Sequence, residues 1–255
     1  MLEICGLTKR FRSLTVVDNV SFVLRPGEIT GYLGPNGSGK STTVKMLVGL
    51  LHPSAGRILF RGRDIREDPA GFKRCLGYVP EEPNLYSYLT GLEYLQLAGR
   101  LRGLEEGGIN RKANELLELL SLGEARWVPI SAYSKGMKQR VLIAAALLHD
   151  PDVLIFDEAQ SGLDIANGLL FRHLLQALAA RGKTILYISH VLELVEKVCS
   201  RVIVIYKGRI VADDSVEGMR GLMNLPSLEE IFTQLVQQVD MAGRAGAISA
   251  LIGAP

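Results

Sequence analysis

Gly34-Pro35-Asn36-Gly37-Ser38-Gly39-Lys40-Ser41-Thr42 decides how the rest of the chain is read. It fits the phosphate-loop pattern G-x-x-x-x-G-K-[ST]. Gly34, Gly37 and Gly39 can take positive φ and let backbone N–H groups curl around an anion. Lys40 places an ammonium near the outer phosphates, and the Ser41 hydroxyl can bind Mg²⁺. A helix starting at Lys40 points its positive dipole end at the phosphates. The whole run from Gly34 through Pro35, Asn36, Gly37, Ser38, Gly39, Lys40 and Ser41 to Thr42 is therefore the candidate nucleotide contact. Such a loop needs a strand before it and a helix behind it. Glu28–Leu33 reads as a short buried strand, and Thr43–Val48 as helix.

A second constellation follows downstream. Val153-Leu154-Ile155-Phe156-Asp157-Glu158 is four apolar residues and then two carboxylates. A buried strand that delivers an acid at its C-terminal end is where an open α/β sheet places ligand chemistry. Asp157 can hold the metal, and Glu158 can polarise an attacking water.

Size and composition set bounds. The chain has 255 residues, an apolar fraction of 47% and a net charge of +2. That fits one large domain with ample core, and the charge alone implies neither nucleic acid nor an anionic membrane surface. Cys5, Cys75 and Cys199 are far apart, with no zinc spacing, and read as reduced thiols of a cytosolic protein. No apolar run reaches the roughly 18–20 residues of a membrane helix, and no signal peptide is visible. Service to a membrane would run through a partner.

Along the chain, short strands are expected at Leu2–Leu7, Val20–Leu24, Glu28–Leu33, Arg57–Phe60 and Leu76–Val79. Thr90-Gly91-Leu92-Glu93 is a capping box opening a helix to about Arg102, broken by Gly103 and the pair Gly107-Gly108. Further helices are expected at Ile109–Leu120 and Lys135–Leu148, so 84–150 reads as a helical insertion. Strands at Val153–Phe156, Lys183–Ile188 and Val202–Tyr206 then alternate with helices at Ile165–Arg181 and Val191–Cys199. This implies a parallel sheet covered on both faces. Arg209–Ala212 would close a hairpin. The expected division is one domain over 1–240, with a core and β-subdomain at 1–83 and 151–215. A C-terminal helix is expected over about 226–240 and a mobile tail over 241–255.

The order of motifs resembles one family. Tyr133-Ser134-Lys135-Gly136-Met137-Lys138-Gln139-Arg140 is similar to the signature of ATP-binding cassette (ABC) ATPases. Ser161-Gly162-Leu163-Asp164 resembles their D-loop, Ser189-His190 their switch histidine, and Phe11 the aromatic that stacks on adenine. Leu76-Gly77-Tyr78-Val79-Pro80 leads towards their Q-loop. The resemblance runs from Met1 to about Phe232. It implies a P-loop NTPase (RecA-like) α/β core with an antiparallel β-subdomain and an inserted helical subdomain. It also implies ATP and Mg²⁺ as ligands and a head-to-tail dimer with an ATP at each phosphate loop. Ser134, Lys135, Gly136 and Asp164 would face the nucleotide across that dimer. Glu158, His190 and Lys40 would be catalytic; Ser41, Glu81 and Asp157 would serve the metal. Phe11 as plain core remains the alternative for that ring.

Three departures bear on chemistry. Glu81 stands where the Q-loop has Gln, and it either reaches the metal or points into solvent. Lys135 replaces the first signature Gly, and Tyr133 the leading Leu; Lys135 would approach the opposite γ-phosphate or lean into solvent. Ala159-Gln160 precedes the D-loop where Pro-Thr is common. The run from Leu85 to Leu95 looks like ATPase subunits of bacterial ABC-2-type exporters, as does Ser227–Phe232. The expected role is thus an ATPase subunit that powers a separate permease chain from the cytoplasmic face, working as a homodimer or heterodimer. A non-transport ABC ATPase, or a regulatory subunit with weakened hydrolysis, remains the rival.

Overall fold

The computed structural model describes residues 1–223, so the expected C-terminal helix and tail lie outside the described residues. Two sheets organise the chain. The strands β1 (Leu2–Phe11), β2 (Leu14–Leu24), β4 (Ala55–Phe60) and β5 (Arg63–Asp64) form an antiparallel sheet of order β2-β1-β4-β5. The larger sheet joins β3 (Ile29–Leu33), β6 (Leu76–Val79), β7 (Val153–Asp157), β8 (Thr184–Ile188), β9 (Arg201–Tyr206) and β10 (Arg209–Ser215) in the order β10-β9-β3-β8-β7-β6. All its neighbours pair in parallel except the β9–β10 hairpin.

Every residue of β3, β7 and β8 is buried, because helices or the second sheet cover both faces. The pleat sends alternate side chains to opposite sides. Val153 and Ile155 join Tyr32, Ile188 and Ile203 against α1 (Lys40–Leu47) and the antiparallel sheet. Leu154 and Phe156 join Tyr187 and Val202 on the other face, towards α5 (Lys135–Leu147), α6 (Ile165–Ala180) and α7 (Leu192–Val198). A helical layer of α3 (Gly91–Leu101), α4 (Glu106–Leu119) and α5 lies between β6 and β7 in the chain.

Several local expectations are corrected. The first hairpin is longer than its apolar pattern: β1 runs on to Phe11 and β2 starts at Leu14, because ladder pairing continues through the exposed tip. Gly107 and Gly108 do not break a helix; they sit in the first turn of α4, which opens at Glu106. A short α2 (Pro69–Arg74) has caps that sequence could have revealed: Asp68 accepts from the Gly71 N–H at 2.8 Å, and Pro69 opens the first turn. The capping box at Thr90 is present in both directions. No helix among the described residues is long and apolar enough to cross a membrane.

Candidate nucleotide site

Strand order brings the candidate groups together. β3, β8, β7 and β6 are consecutive neighbours. From their C-terminal ends emerge, in that order, the phosphate loop, Ser189-His190, Asp157-Glu158 and Pro80-Glu81. One edge of one sheet thus carries the loop and the groups predicted to act on what it binds.

The loop is built for close backbone approach. Gly39, at φ 107°, caps α1 in a conformation only glycine takes freely. Gly37 also has positive φ. Gly34 does not, which corrects its expected role: a Cβ there would collide with the Ile205 carbonyl and lie 2.5 Å from Ser38 Oγ. The hairpin after β9 supports the loop, since Gly208 N–H donates to the Ser38 carbonyl at 2.9 Å. Thr43 Oγ1 donates to the Gly39 carbonyl at 3.0 Å behind it. Ser38 Oγ is buried without a hydrogen-bond partner. Lys40 Nζ donates to the Gly34 and Pro35 carbonyls at 2.6 and 3.1 Å, which folds it over the loop. Glycine where a Cβ cannot fit, an orphaned hydroxyl and a helix N-terminus together fit an anionic phosphate chain.

The acids confront this loop. Burial pulls the Lys40 ammonium below the ordinary lysine value, and Glu158, Asp157 and Glu81 pull it back up. Burial, together with Glu81 and Glu158, raises Asp157 to about 6. Burial pushes the Tyr78 hydroxyl up to about 12, with Asp157 and Glu81 adding to it. Glu81 is exposed on its loop yet lies within the field of this cluster. Among the described residues no three His, Cys, Asp or Glu side chains converge tightly enough to hold a metal alone. Mg²⁺ uses one or two carboxylates and otherwise binds phosphates and water, and the hydroxyl of Ser41 and the carboxylate of Asp157 are of the type that could serve it.

Glu158 has φ 50°, a left-handed conformation uncommon for a non-glycine residue. Its N–H donates to the Ile188 carbonyl at 3.0 Å, so the turn is pinned to β8. Its Oε2 lies 2.9 Å from His190 Nδ1, with Glu158 mostly buried and the imidazole exposed. Carboxylate and histidine are therefore in contact beside the loop.

The signature residues are arranged differently. Ser134 is the N-cap of α5, accepting from the Met137 N–H at 3.2 Å. Tyr133 is buried, and its hydroxyl donates to the Ala125 carbonyl at 2.6 Å. Lys135 is exposed, and its Nζ donates to Ser161 Oγ of the same chain at 2.9 Å. Asp164 caps α6, and its two carboxylate oxygens accept from the Asn167 N–H and Nδ2 at 2.8 and 2.7 Å. Phe11 lies at the hairpin tip, 46% exposed, with Lys9 Nζ 5.2 Å from its ring centroid. It is not core.

One residue of the signature run has a role its motif did not suggest. Gln139, fully buried in α5, reaches the Pro80 carbonyl at 3.4 Å and joins the signature helix to the loop bearing Glu81. Only a polar residue on the buried face of an apolar helix could have flagged it.

A phosphate loop at the middle of a parallel sheet, acids on neighbouring strand ends and an inserted helical layer define a P-loop ATPase of the cassette type. Comparison with known proteins narrows this. The ABC transporter family model matches residues 17–161. The Nod factor export ATP-binding protein I of Ralstonia nicotianae is 37% identical over 256 residues, covering 95% of this chain and 79% of that protein. A solved ATP-binding subunit of an ABC transporter superposes with a TM-score of 0.87 at 33% identity, over 92% of this chain and 99% of that one. A dimeric bacterial ABC transporter cassette superposes at 0.78 and 25% identity, over 84% and 98%. The chain belongs to the ABC transporter family, as an ATP-binding and ATP-hydrolysing subunit.

Proposed function

We propose that two such subunits close head to tail on two ATP molecules, cleave them, and drive a separate membrane permease that exports its cargo. The observation that carries the catalytic part is the Glu158–His190 contact of 2.9 Å on strand ends next to the Lys40 loop. Lys40 holds the outer phosphates by charge, and the N–H groups of Gly37 to Ser41 hold them by dipole. Glu158 takes the proton of the attacking water, and His190 orients that carboxylate from the Nδ1 side. Ser134 and the Gly136 N–H offer the helix α5 N-terminus to the partner's γ-phosphate. Mg²⁺, held by Ser41 and Asp157 with Glu81 nearby, would neutralise charge on the phosphate oxygens. Phe11 presents an open ring for the adenine.

The permease reading rests on an exposed apolar surface. Leu92 and Leu95 of the 85–95 run belong to the core, but Tyr86 and Tyr88 stand 54% and 74% exposed, their rings 5.9 Å apart. Trp127 and Val128 are exposed on the adjoining segment, which is bonded to that run through Ile130 N–H to the Leu89 carbonyl and Ser131 N–H to the Ser87 carbonyl. An aromatic surface of this kind suits a short amphipathic helix of a partner. Such a partner would hold the subunit at the cytoplasmic face of the membrane. The exporter assignment draws on the export relative.

The test is Glu158→Gln. Shape is kept and the base is lost, so ATP binding persists, hydrolysis falls by about 10²–10⁴-fold, and an ATP-bound dimer accumulates in light scattering. Turnover at the wild-type rate would show that another base operates. Co-purification with a membrane protein tests the permease reading, and loss of that association on Tyr88→Ala and Trp127→Ala places its surface.

A further inference from the structure

Lys135 stands where this family's signature has its first glycine, and its side chain is exposed but engaged. The ammonium donates to Ser161 Oγ at 2.9 Å. Its Cβ, Cγ and Cδ pass 3.2–3.5 Å from the place a Cβ on Gly162 would occupy. Next to it, a Cβ on Gly136 would collide with the Gly162 carbonyl. The first turn of α5 therefore rests directly on Ser161-Gly162. From there the contacts continue: Ser161 N–H donates to the Glu158 carbonyl at 2.9 Å, and Glu158 Oε2 meets His190 Nδ1 at 2.9 Å.

We propose that Lys135 is a positioning residue: through Ser161 it ties the signature turn, which reads the partner subunit's nucleotide, to the turn that holds this chain's own Glu158. The proposal rests on the head-to-tail dimer described above. Physically, the Glu158–Ser161 turn is short, and Glu158 sits in a sparsely populated backbone region held by its surroundings. A small shift of Ser161 thus moves the carboxylate relative to the phosphate loop. A glycine at position 135 has no atoms with which to transmit that shift. With lysine there, each subunit's base is aligned when its signature turn engages the ATP on the other subunit. The two sites then fire as a coupled pair, and the coupling free energy resides partly in one hydrogen bond.

The experiment compares ATP dependence of turnover for the full chain as wild type, Lys135→Ala, Lys135→Met, Ser161→Ala, the double variant Lys135→Ala/Ser161→Ala, and Lys135→Arg. Lys135→Met keeps the stem packed on Gly162 and removes only the donor, and thermal melts check that each variant folds. MgATP affinity is measured below the dimerisation concentration, and ATP-dependent dimerisation in a Glu158→Gln background. The expected result is unchanged monomer affinity, a kcat lower by about 5-fold, at the small end of site-to-site couplings, and a Hill coefficient falling towards unity. The double variant is no worse than either single, and Lys135→Arg, which retains donors, recovers cooperativity. Multiplying losses in the double variant would overturn the link, as would cooperativity that survives Lys135→Met. Weaker dimerisation for Lys135→Met but not Ser161→Ala would also overturn it, by placing the ammonium on the partner's phosphate. A wild type that turns over without cooperativity overturns it as well. Failure of the Glu158→Gln chain itself to dimerise with ATP would break the dimer reading, and is seen before any Lys135 variant is made.

Discussion

The phosphate loop hangs between the fully buried β3 and the helix α1, and its shape is fixed by backbone atoms: Gly208 N–H on the Ser38 carbonyl, and a Gly34 Cα that leaves no room for a Cβ. The signature turn hangs from a helical layer by side chains: the Tyr133 hydroxyl on Ala125, the Ser134 cap, and Lys135 on Ser161. One half of the site is therefore rigid by topology and insensitive to most exposed substitutions. The other is held by a few replaceable contacts and can be retuned by single residues. The difference is what the proposed roles predict: binding in the first half and adjustable coupling in the second.

The largest effect should come from Lys40→Ala. Its ammonium is folded over the loop, and Asp157, Glu158 and Glu81 face it. Calorimetry with MgATP should show affinity lost by at least about 100-fold, since charge-assisted contacts to phosphate are the strong ones, with turnover abolished. Unaltered affinity would remove the rigid half from nucleotide binding altogether.

Asp157→Asn should separate stability from function within that same half. Burial and two acidic neighbours raise Asp157 from the ordinary 3.8 to about 6. The folded chain thus binds a proton more readily than the unfolded chain between these values. Stability from this group is complete below about pH 4 and is lost as pH rises through 6. The nucleotide-free variant should accordingly be more stable than wild type at pH 7, by up to about 3 kcal/mol, and no different at pH 3.5. Thermal melts in chelator across that range check it. A gain that persists at pH 3.5 would mean packing, not charge, is responsible.

Tyr133→Phe probes the half held by side chains. It deletes the hydrogen bond to the Ala125 carbonyl, worth about 1 kcal/mol. The gap matters beyond stability, because a Cβ on Gly91 would sit 2.7 Å from that hydroxyl. Gly91→Ala should be destabilising in the wild-type chain and tolerated in the Tyr133→Phe background, where the oxygen is gone. A double-mutant cycle on melting temperature reads this, and additive losses would detach Tyr133 from α3.

How much of this was legible follows the same division. The phosphate loop, the strand carrying Asp157-Glu158 and the parallel sheet could be read directly, because buried strands and glycine loops need particular residue types in sequence order. Glu158 and His190 lie 32 positions apart in the chain, and only the β7–β8 pairing puts them in contact. The Lys135–Ser161 and Gln139–Pro80 contacts were not legible, since long polar side chains have many reachable partners and the pattern names none. Thr8–Phe11 and Leu14–Asn19 do not read as strand in the sequence because only Thr8 and Val17 among them are buried, too few to show an apolar alternation.

The smallest expected effect concerns Glu81, which sits at the seam between the halves. Its backbone follows Pro80, whose carbonyl is held by Gln139 of the signature helix, while its carboxylate adds to the field on Asp157 and Lys40. A full charge rather than an amide at this position has two opposed consequences. It favours a divalent cation, because hard cations bind carboxylates better than amides. It disfavours ATP without metal, because like charges repel. Glu81 is exposed, so solvent screens both terms and keeps them to a few-fold. Glu81→Gln should therefore bind metal-free ATP about 3-fold more tightly and depend less on Mg²⁺, with MgATP affinity nearly unchanged. Titrating ATP with and without Mg²⁺ against both proteins reads the two terms separately. High salt should shrink the difference, since the carboxylate acts through solvent. Equal Mg²⁺ dependence in the two proteins would take Glu81 out of the metal's reach and leave the Gln139–Pro80 bond as its backbone tie to the signature helix.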